Sequence, residues 1–236
     1  MTKIKKPELT VVIVTYNSER FIDRCLHSIK NHQIVVVDNN SSDNTIKIAE
    51  KHNPKIIINK KNYGYAKAAN MGIENSHADY ILLLNPDIYL QEDTIENVIL
   101  FMRQNKECDV QGTRLMDDNG KLIFSCKRFP TLKDAVGRRL GIFRDAVSHH
   151  LMYDYDHKEP RIVDWISGGC MLFKSRYKFD ERYFLYLEDV DFCKGKRVYY
   201  NPNAAAYHSV QRDSARKLKH FFFHVRSFVK YKLKHS

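Results

Sequence analysis

The chain has 236 residues, 43% of them hydrophobic, enough for one large α/β domain or two small ones. Its net charge of +11 points to anionic partners: nucleic acid, acidic lipid or a phosphorylated small molecule. The longest wholly aliphatic runs, 34–37 and 81–84, are far too short to span a bilayer. The apolar run 9–14 breaks at Thr15-Tyr16-Asn17 without a small-residue cleavage site, which reads against a signal peptide. Cys25, Cys108, Cys126, Cys170 and Cys193 form no CxxC pair, so free thiols in a reduced compartment are expected.

In chain order, 9–14 predicts a buried strand. Ser18 is positioned to cap a helix carrying Phe21, Ile22, Leu26 and Ile29 on one face. Residues 34–37 predict a second strand, 43–51 a helix with Ile46 and Ala49 inward, and 56–58 a short third strand. Asn62-Tyr63-Gly64-Tyr65 turns into an alanine-rich helix ending near Asn75, and 80–84 predicts a fourth strand. This alternation, with unbroken apolar strands, predicts a mainly parallel sheet covered on both faces. Right-handed crossovers bring the strand C-termini to one edge, where such sheets bind ligands. Residues 92–105 predict a helix with Ile95, Val98, Ile99 and Met102 inward. Asp117-Asp118-Asn119-Gly120 is a turn signal, and 127–163 reads as basic and irregular. Trp165 to Gly169 leads into a strand at 170–173, followed by an acidic cluster, a strand near 198–200, and a stretch from Pro202 to His208.

Two acidic points stand out. Glu188-Asp189-Val190-Asp191 puts three carboxylates into four positions behind an aromatic and aliphatic run. Crowded carboxylates raise one another's pKa, so the cluster suits a general base, a cation site or an acidic helix start. Asn85-Pro86-Asp87 ends the fourth strand, where Asp87 suits Mg²⁺ or Mn²⁺ with help from Asn85, or an ordinary turn. His208 gains meaning if its strand returns beside Asp87, since imidazole and carboxylate can share a divalent ion. Asp38, at the end of the second strand, either accepts the N3–H of uracil or thymine or caps the turn to Asp43. Gly168-Gly169 permits close ligand approach or marks a tight turn. No G-x-G-x-x-G or P-loop is present, which argues against NAD and ATP chemistry.

These pieces together resemble the inverting family 2 glycosyltransferases of the GT-A fold, most closely the bacterial rhamnosyltransferase-like branch. The matching segments are VVIVTYN (11–17), VVDNNSSDNT (36–45), NKKNYGYAKAANMGI (59–73), YILLLNPDIYL (80–90), DWISGGCMLFK (164–174), FDERYFLYLEDVDFC (179–193), AYHS (206–209) and HVRSFVKY (224–231). The resemblance implies an α/β fold with a Rossmann-like, mainly parallel central sheet flanked by helices. It implies donor contacts from Thr15, Asp38, Asn62, Lys67, Asn85 and Asp87, a divalent cation at Asp87 and His208, and Asp189 as general base. Trp165, Gly168, Gly169, Glu188 and Asp191 would border the sugar and acceptor. The chain departs from the family in the abrupt Cys193-Lys194-Gly195-Lys196 and the short stretch 28–33. The expected organisation is one catalytic domain over 1–236: a nucleotide-sugar half at 9–110, an acceptor-side half at 111–213, and a basic amphipathic helix at 214–236.

The leading reading is transfer of a sugar from a nucleotide diphosphate-sugar, dTDP-rhamnose or a UDP-sugar, to a glycan or lipid-linked acceptor in bacterial surface polysaccharide synthesis. Alternatives are a non-catalytic nucleotide-sugar-binding or scaffold protein and a basic RNA-binding protein; no nucleic-acid module is identifiable. From Arg216 onward there are seven Lys or Arg and no acid, with apolar residues at helical spacing. That helix either packs on the domain or lies on anionic lipid, or does both. A cytoplasmic protein, peripheral on the inner face of the cell membrane, is expected, with room for a homo-oligomer or a partner transferase.

Overall fold

Seven consecutive residues of β1 (Leu9–Thr15) are buried, the signature of a central strand covered on both faces. A computed structural model describes residues 8–134, 141–209 and 218–235 of the chain. β1 pairs in parallel with β2 (Gln33–Asp38) on one side and β4 (Tyr80–Leu84) on the other. β2 in turn pairs in parallel with β3 (Lys55–Ile58). The crossovers carry α1 (Ile22–His27), α2 (Thr45–Ala49) and α3 (Tyr65–Glu74). α3 approaches the sheet closely because its inner face is Ala66, Ala69 and Gly72; a Cβ on Gly72 would lie 2.3 Å from Val12 Cγ1.

Beyond β4 the sheet becomes mixed. β11 (Cys170–Lys174) pairs antiparallel with β4 and with β6 (Val110–Met116). β12 (Val198–His208) runs parallel to β6 and antiparallel to β5 (Ile88–Leu90). β7 (Leu122–Ile123) and β9 (Arg161–Ile162) add to β6 and β12, giving ten strands. β8 (Cys126–Lys127) and β10 (Trp165–Ile166) form a separate two-stranded ribbon. Alternation along the strands builds two cores. Val12, Val35, Leu83 and Phe173 face α3 and the C-terminal elements, while Val11, Val36, Leu82 and Leu172 face α1 and α4 (Thr94–Gln104).

Several expectations need correcting. Ser18 does not cap α1 through its hydroxyl; its carbonyl accepts from Phe21 and Ile22, and the helix starts at Ile22. Phe101 joins Ile95, Val98 and Met102 on the buried face of α4, whereas Ile99 is only partly buried. The segments 198–200 and 202–208 are one strand, with a register shift between Asn201 and Ala205 that accommodates Pro202. Residues 127–163 include α5 (Arg144–His150). Near the C-terminus come α6 (Glu188–Cys193) and α7 (Leu218–His235). The expected helix start at 214, with Lys217, lies outside the described residues, as do the side chains of Leu218 and Lys219.

Candidate active site

Parallel pairing sets the ends of β1 and β2 side by side, with Thr15 opposite Asp38. Thr15 Oγ1 donates to Asp38 Oδ1 at 2.8 Å. The Ser41 amide donates to Oδ2 at 2.7 Å, and the Ser41 hydroxyl to Oδ1 at 2.5 Å. Asp38 is buried and holds its own turn, as the capping alternative describes. Asn62 Oδ1 accepts the Gly64 N–H at 2.9 Å and shapes the entry to α3. Lys67, in the first turn of α3, pairs with Glu181 Oε2 at 3.5 Å across to the C-terminal half.

Asp87 follows β4 in a tight turn, where the Ile88 N–H donates to the Asn85 carbonyl. Antiparallel pairing of β5 with β12 sets His208 opposite Ile88, so the histidine strand does return beside Asp87. His208 Nε2 lies 3.1 Å from Asp87 Oδ2. Asp87 Oδ1 is buried and has no hydrogen-bond partner. A buried carboxylate oxygen without a donor is costly unless a ligand or cation completes it. Among the described residues no three His, Cys, Asp or Glu side chains form a metal cluster. A two-ligand site does fit Mg²⁺ or Mn²⁺, which take phosphate oxygens and water for the remaining positions.

α6 presents the acidic cluster with its carboxylates in different surroundings. Asp189 accepts from the Gly168 N–H at Oδ2 (3.0 Å) and from the Val190 N–H at Oδ1 (2.9 Å). Burial raises its pKa, while the Gly168 N–H and then Lys127 oppose the rise. Glu188 is buried, its Oε2 has no partner, and burial followed by Asp189 raises its pKa. Asp191 was expected at the sugar site. Instead its carboxylate is buried against Tyr183, Lys234 and His235, with the latter two at 2.8 Å. The Lys234 and His235 contacts come from α7.

Tyr65, which the sequence did not single out, joins the two acidic points. Its hydroxyl lies 3.0 Å from Asn85 Oδ1 and 3.2 Å from the Gly168 carbonyl. Its pKa is raised well above the ordinary tyrosine value by burial, then by Glu188, Asp189 and Asp87. The phenol stays protonated and donates where carboxylates from both clusters converge. Asn85 also bonds through its N–H to the Gly169 carbonyl at 2.8 Å. A Cβ on Gly169 would lie 2.9 Å from Ile88 Cδ1, the end of a flexible side chain. Gly64 is a stricter requirement: its φ is +89°, and a Cβ there would lie 2.5 Å from the Phe184 carbonyl oxygen. Trp165 is buried, its indole N–H donating to the Arg128 carbonyl at 2.9 Å, with Lys127 4.5 Å above the ring. The tryptophan thus supports Lys127, a cation close enough to act on Asp189 that sequence reading also missed.

Residues 10–178 match the model of Glycosyl transferase family 2. The chain belongs to that family. It sits with the rhamnosyltransferase-like branch of this family of GT-A transferases. It is 28% identical over 246 residues to rhamnosyltransferase WbbL of Escherichia coli K12, covering 94% of this chain and 91% of that protein. It is 29% identical over 238 residues to the N-acetylglucosaminyl-diphospho-decaprenol L-rhamnosyltransferase of Mycobacterium tuberculosis, covering 90% and 76%. The fold resembles Staphylococcus aureus TarS 1-349 in complex with UDP-GlcNAc, with TM-score 0.61, 19% identity, and coverage of 87% of this chain and 59% of that one. Mannosyltransferase PcManGT of Pyrobaculum calidifontis, in complex with GDP-Man and Mn²⁺, gives 0.59, 16%, 89% and 59%. The chain thus spans about three-fifths of each of these two solved chains. The enzyme is a glycosyltransferase.

Proposed function

We propose that this transferase moves a sugar from a nucleotide diphosphate donor to a hydroxyl of a lipid-linked or glycan acceptor, inverting the anomeric carbon. The single observation that carries the reading is the convergence of the Asp87–His208 pair and Asp189 on Tyr65, Asn85 and Gly168. dTDP-rhamnose is the first donor candidate and UDP-sugars the second. The rhamnosyltransferase names of the two sequence relatives favour the former. The Mycobacterium relative's name supplies the acceptor class, a sugar on a lipid diphosphate.

Residues 1–236 act in this reading as one catalytic unit. Thr15, Asp38, Asn62 and Lys67 line the donor side, and a base N–H would compete with the Ser41 hydroxyl for Asp38. Asp87 Oδ1 and His208 Nε2 would hold Mg²⁺ or Mn²⁺, which supplies positive charge beside the departing diphosphate. Asp189 takes the proton of the acceptor hydroxyl as its oxygen attacks the anomeric carbon and the bond to the nucleotide diphosphate breaks. Tyr65 keeps Asn85 and Gly168 in register, and so fixes Asp189 relative to the diphosphate end. Glu188, with its free Oε2, and Gly168-Gly169 border the sugar and acceptor, while Trp165 acts from beneath through Lys127.

Membrane contact is the finer part of the proposal. On α7, Phe222, Val225, Val229 and Leu233 form a stripe facing away from the protein, with exposures of 67%, 45%, 51% and 79%. Arg226 and Lys232 are exposed on the same helix. An apolar stripe bordered by cations suits the inner face of an anionic membrane. Among the described residues no helix is long and apolar enough to cross it.

The test is a transfer assay with dTDP-rhamnose, UDP-glucose and UDP-N-acetylglucosamine, Mn²⁺, and a short-chain N-acetylglucosaminyl-diphospho-prenol. Anomeric configuration is read by NMR. An inverted rhamnoside is expected. Folded protein that binds these donors and transfers from none would support the binding-only alternative. Flotation with anionic vesicles tests the stripe: Phe222→Ser with Leu233→Ser should reduce binding, and unchanged flotation would refute lipid contact.

A further inference from the structure

The turn that delivers Asp189 is held in an unfavourable backbone conformation. Tyr186 and Leu187, the two residues before α6, have φ of +68° and +61°. Neither is Gly, Asn or Asp, the residues that adopt this region at low cost. Such geometry persists only when the surroundings over-determine it. On one side the constraint is Gly64, whose lack of a side chain admits the Phe184 carbonyl, which accepts the Tyr65 N–H at 2.7 Å.

On the other side the constraint is α7, which grips this segment at successive turns. The His224 ring stacks on Tyr186 with centroids 3.5 Å apart, and His220 Nδ1 lies 2.6 Å from the Tyr186 hydroxyl. The Ser227 hydroxyl donates to the Leu185 carbonyl at 2.9 Å. At the end of the helix, Lys234 reaches Asp180 and Asp191, both at 2.8 Å, and His235 Nε2 lies 2.8 Å from Asp191 Oδ1. Asp180 and Asp191 bracket the turn, and Asp191 is two residues from Asp189. A buried carboxylate needs such partners, because it loses its hydration on folding.

We infer that α7 is part of the active-site framework, with Lys234 and His235 as positioning residues that act through Asp191 to hold α6 and Asp189. The inference rests on the reading of Asp189 as general base and deepens it: the face of α7 opposite the proposed membrane stripe sets the catalytic carboxylate. A merely stabilising tail would loosen the whole domain when weakened. A positioning tail loosens 185–193 first and leaves the donor half intact.

The experiment uses the full chain carrying Lys234→Met with His235→Gln, His235→Gln alone, and Lys234→Arg. Amide hydrogen exchange is followed in 185–193 and, as an internal control, in 33–45 and 80–90, with UDP and Mn²⁺ present. The double variant should exchange about tenfold faster or more in 185–193 and at wild-type rates in the control segments. With the prenol acceptor, kcat should fall by about tenfold or more while the donor KM stays within about twofold. Lys234→Arg should restore both. Unchanged exchange in 185–193, equal loosening of the control segments, or a Lys234→Arg variant as impaired as the double variant would overturn the inference. Should the double variant not fold, His235→Gln alone decides, because Lys234 still bridges both aspartates; equal exchange in all segments then counts against positioning. Asp189→Asn with an intact tail separates the two readings. If it transfers normally, the base assignment falls, while the exchange data still judge the strap.

Discussion

Replacing Asp189 by Asn removes the proposed proton acceptor and nearly preserves its shape. The native carboxylate accepts two backbone N–H groups, one on each oxygen, from Gly168 and Val190. An amide offers one acceptor oxygen and one donor nitrogen, so one of those N–H groups meets another donor. The fold should lose about 1–3 kcal/mol, the cost of leaving a partly buried donor unpaired. Transfer should fall by about 10²–10⁴-fold, the usual worth of a general base. That is about 3–5 kcal/mol of barrier, more than the stability loss, and it acts on molecules that remain folded. Initial rates at saturating donor, with urea unfolding of the same sample, separate the two effects. Glu188→Gln is the companion variant. Near-normal transfer by Asp189→Asn beside collapse in Glu188→Gln would move the base to Glu188 and refute the reasoning.

Mn²⁺ should tighten UDP and dTDP binding in calorimetry, Asp87→Ala should lose most of that gain and His208→Ala part of it; an undiminished metal response in Asp87→Ala would remove the site. Uridine and thymidine diphosphates should bind more tightly than cytidine and guanosine diphosphates, and equal affinities would discard Asp38 as the base contact. Glu188 has its folded pKa raised from 4.5 to about 8, so the stability it contributes is full below pH 4.5 and is lost as pH rises to about 8. The melting temperature of the wild type should therefore fall across that window relative to Glu188→Gln, whereas parallel curves would contradict a buried, neutral glutamate. Gly64→Ala should cost about 1–3 kcal/mol from its backbone region alone, and more from overlap with Phe184. An unchanged urea midpoint would show that the turn relaxes freely.

The parallel half was legible because its strands are apolar on both faces: 9–14, 34–37 and 80–84 read as strands and form the adjacent interior strands β2, β1 and β4. β5 was not, since three residues after Asn-Pro-Asp carry too little periodicity to identify a strand. Pro202 hid the continuity of β12, because a proline ordinarily ends a strand and only the bulge reconciles it. Within the site, chemistry-bearing types were readable, so Asp87, His208 and Asp189 could be singled out as candidates. Their surroundings were not readable. Asp191 looks like its neighbours in sequence, and its contacts with Lys234 and His235, 43 and 44 residues away, are what set it apart. Tyr65 is one of 14 tyrosines, and nothing local marks the one whose hydroxyl meets both the Asn85 side chain and the Gly168 carbonyl.

The five cysteines are all buried. Burial raises every thiol, to about 11 in Cys170 and about 12 in Cys108, Cys126 and Cys193, with Cys25 higher still. Thiolates, not thiols, react with alkylating reagents, so the native chain should react slowly with them. A single engineered cysteine on the outer face of α7, such as Leu233→Cys, would then be the one site that takes a probe. An environment-sensitive fluorophore placed there would report lipid contact directly, without any background substitutions in the core.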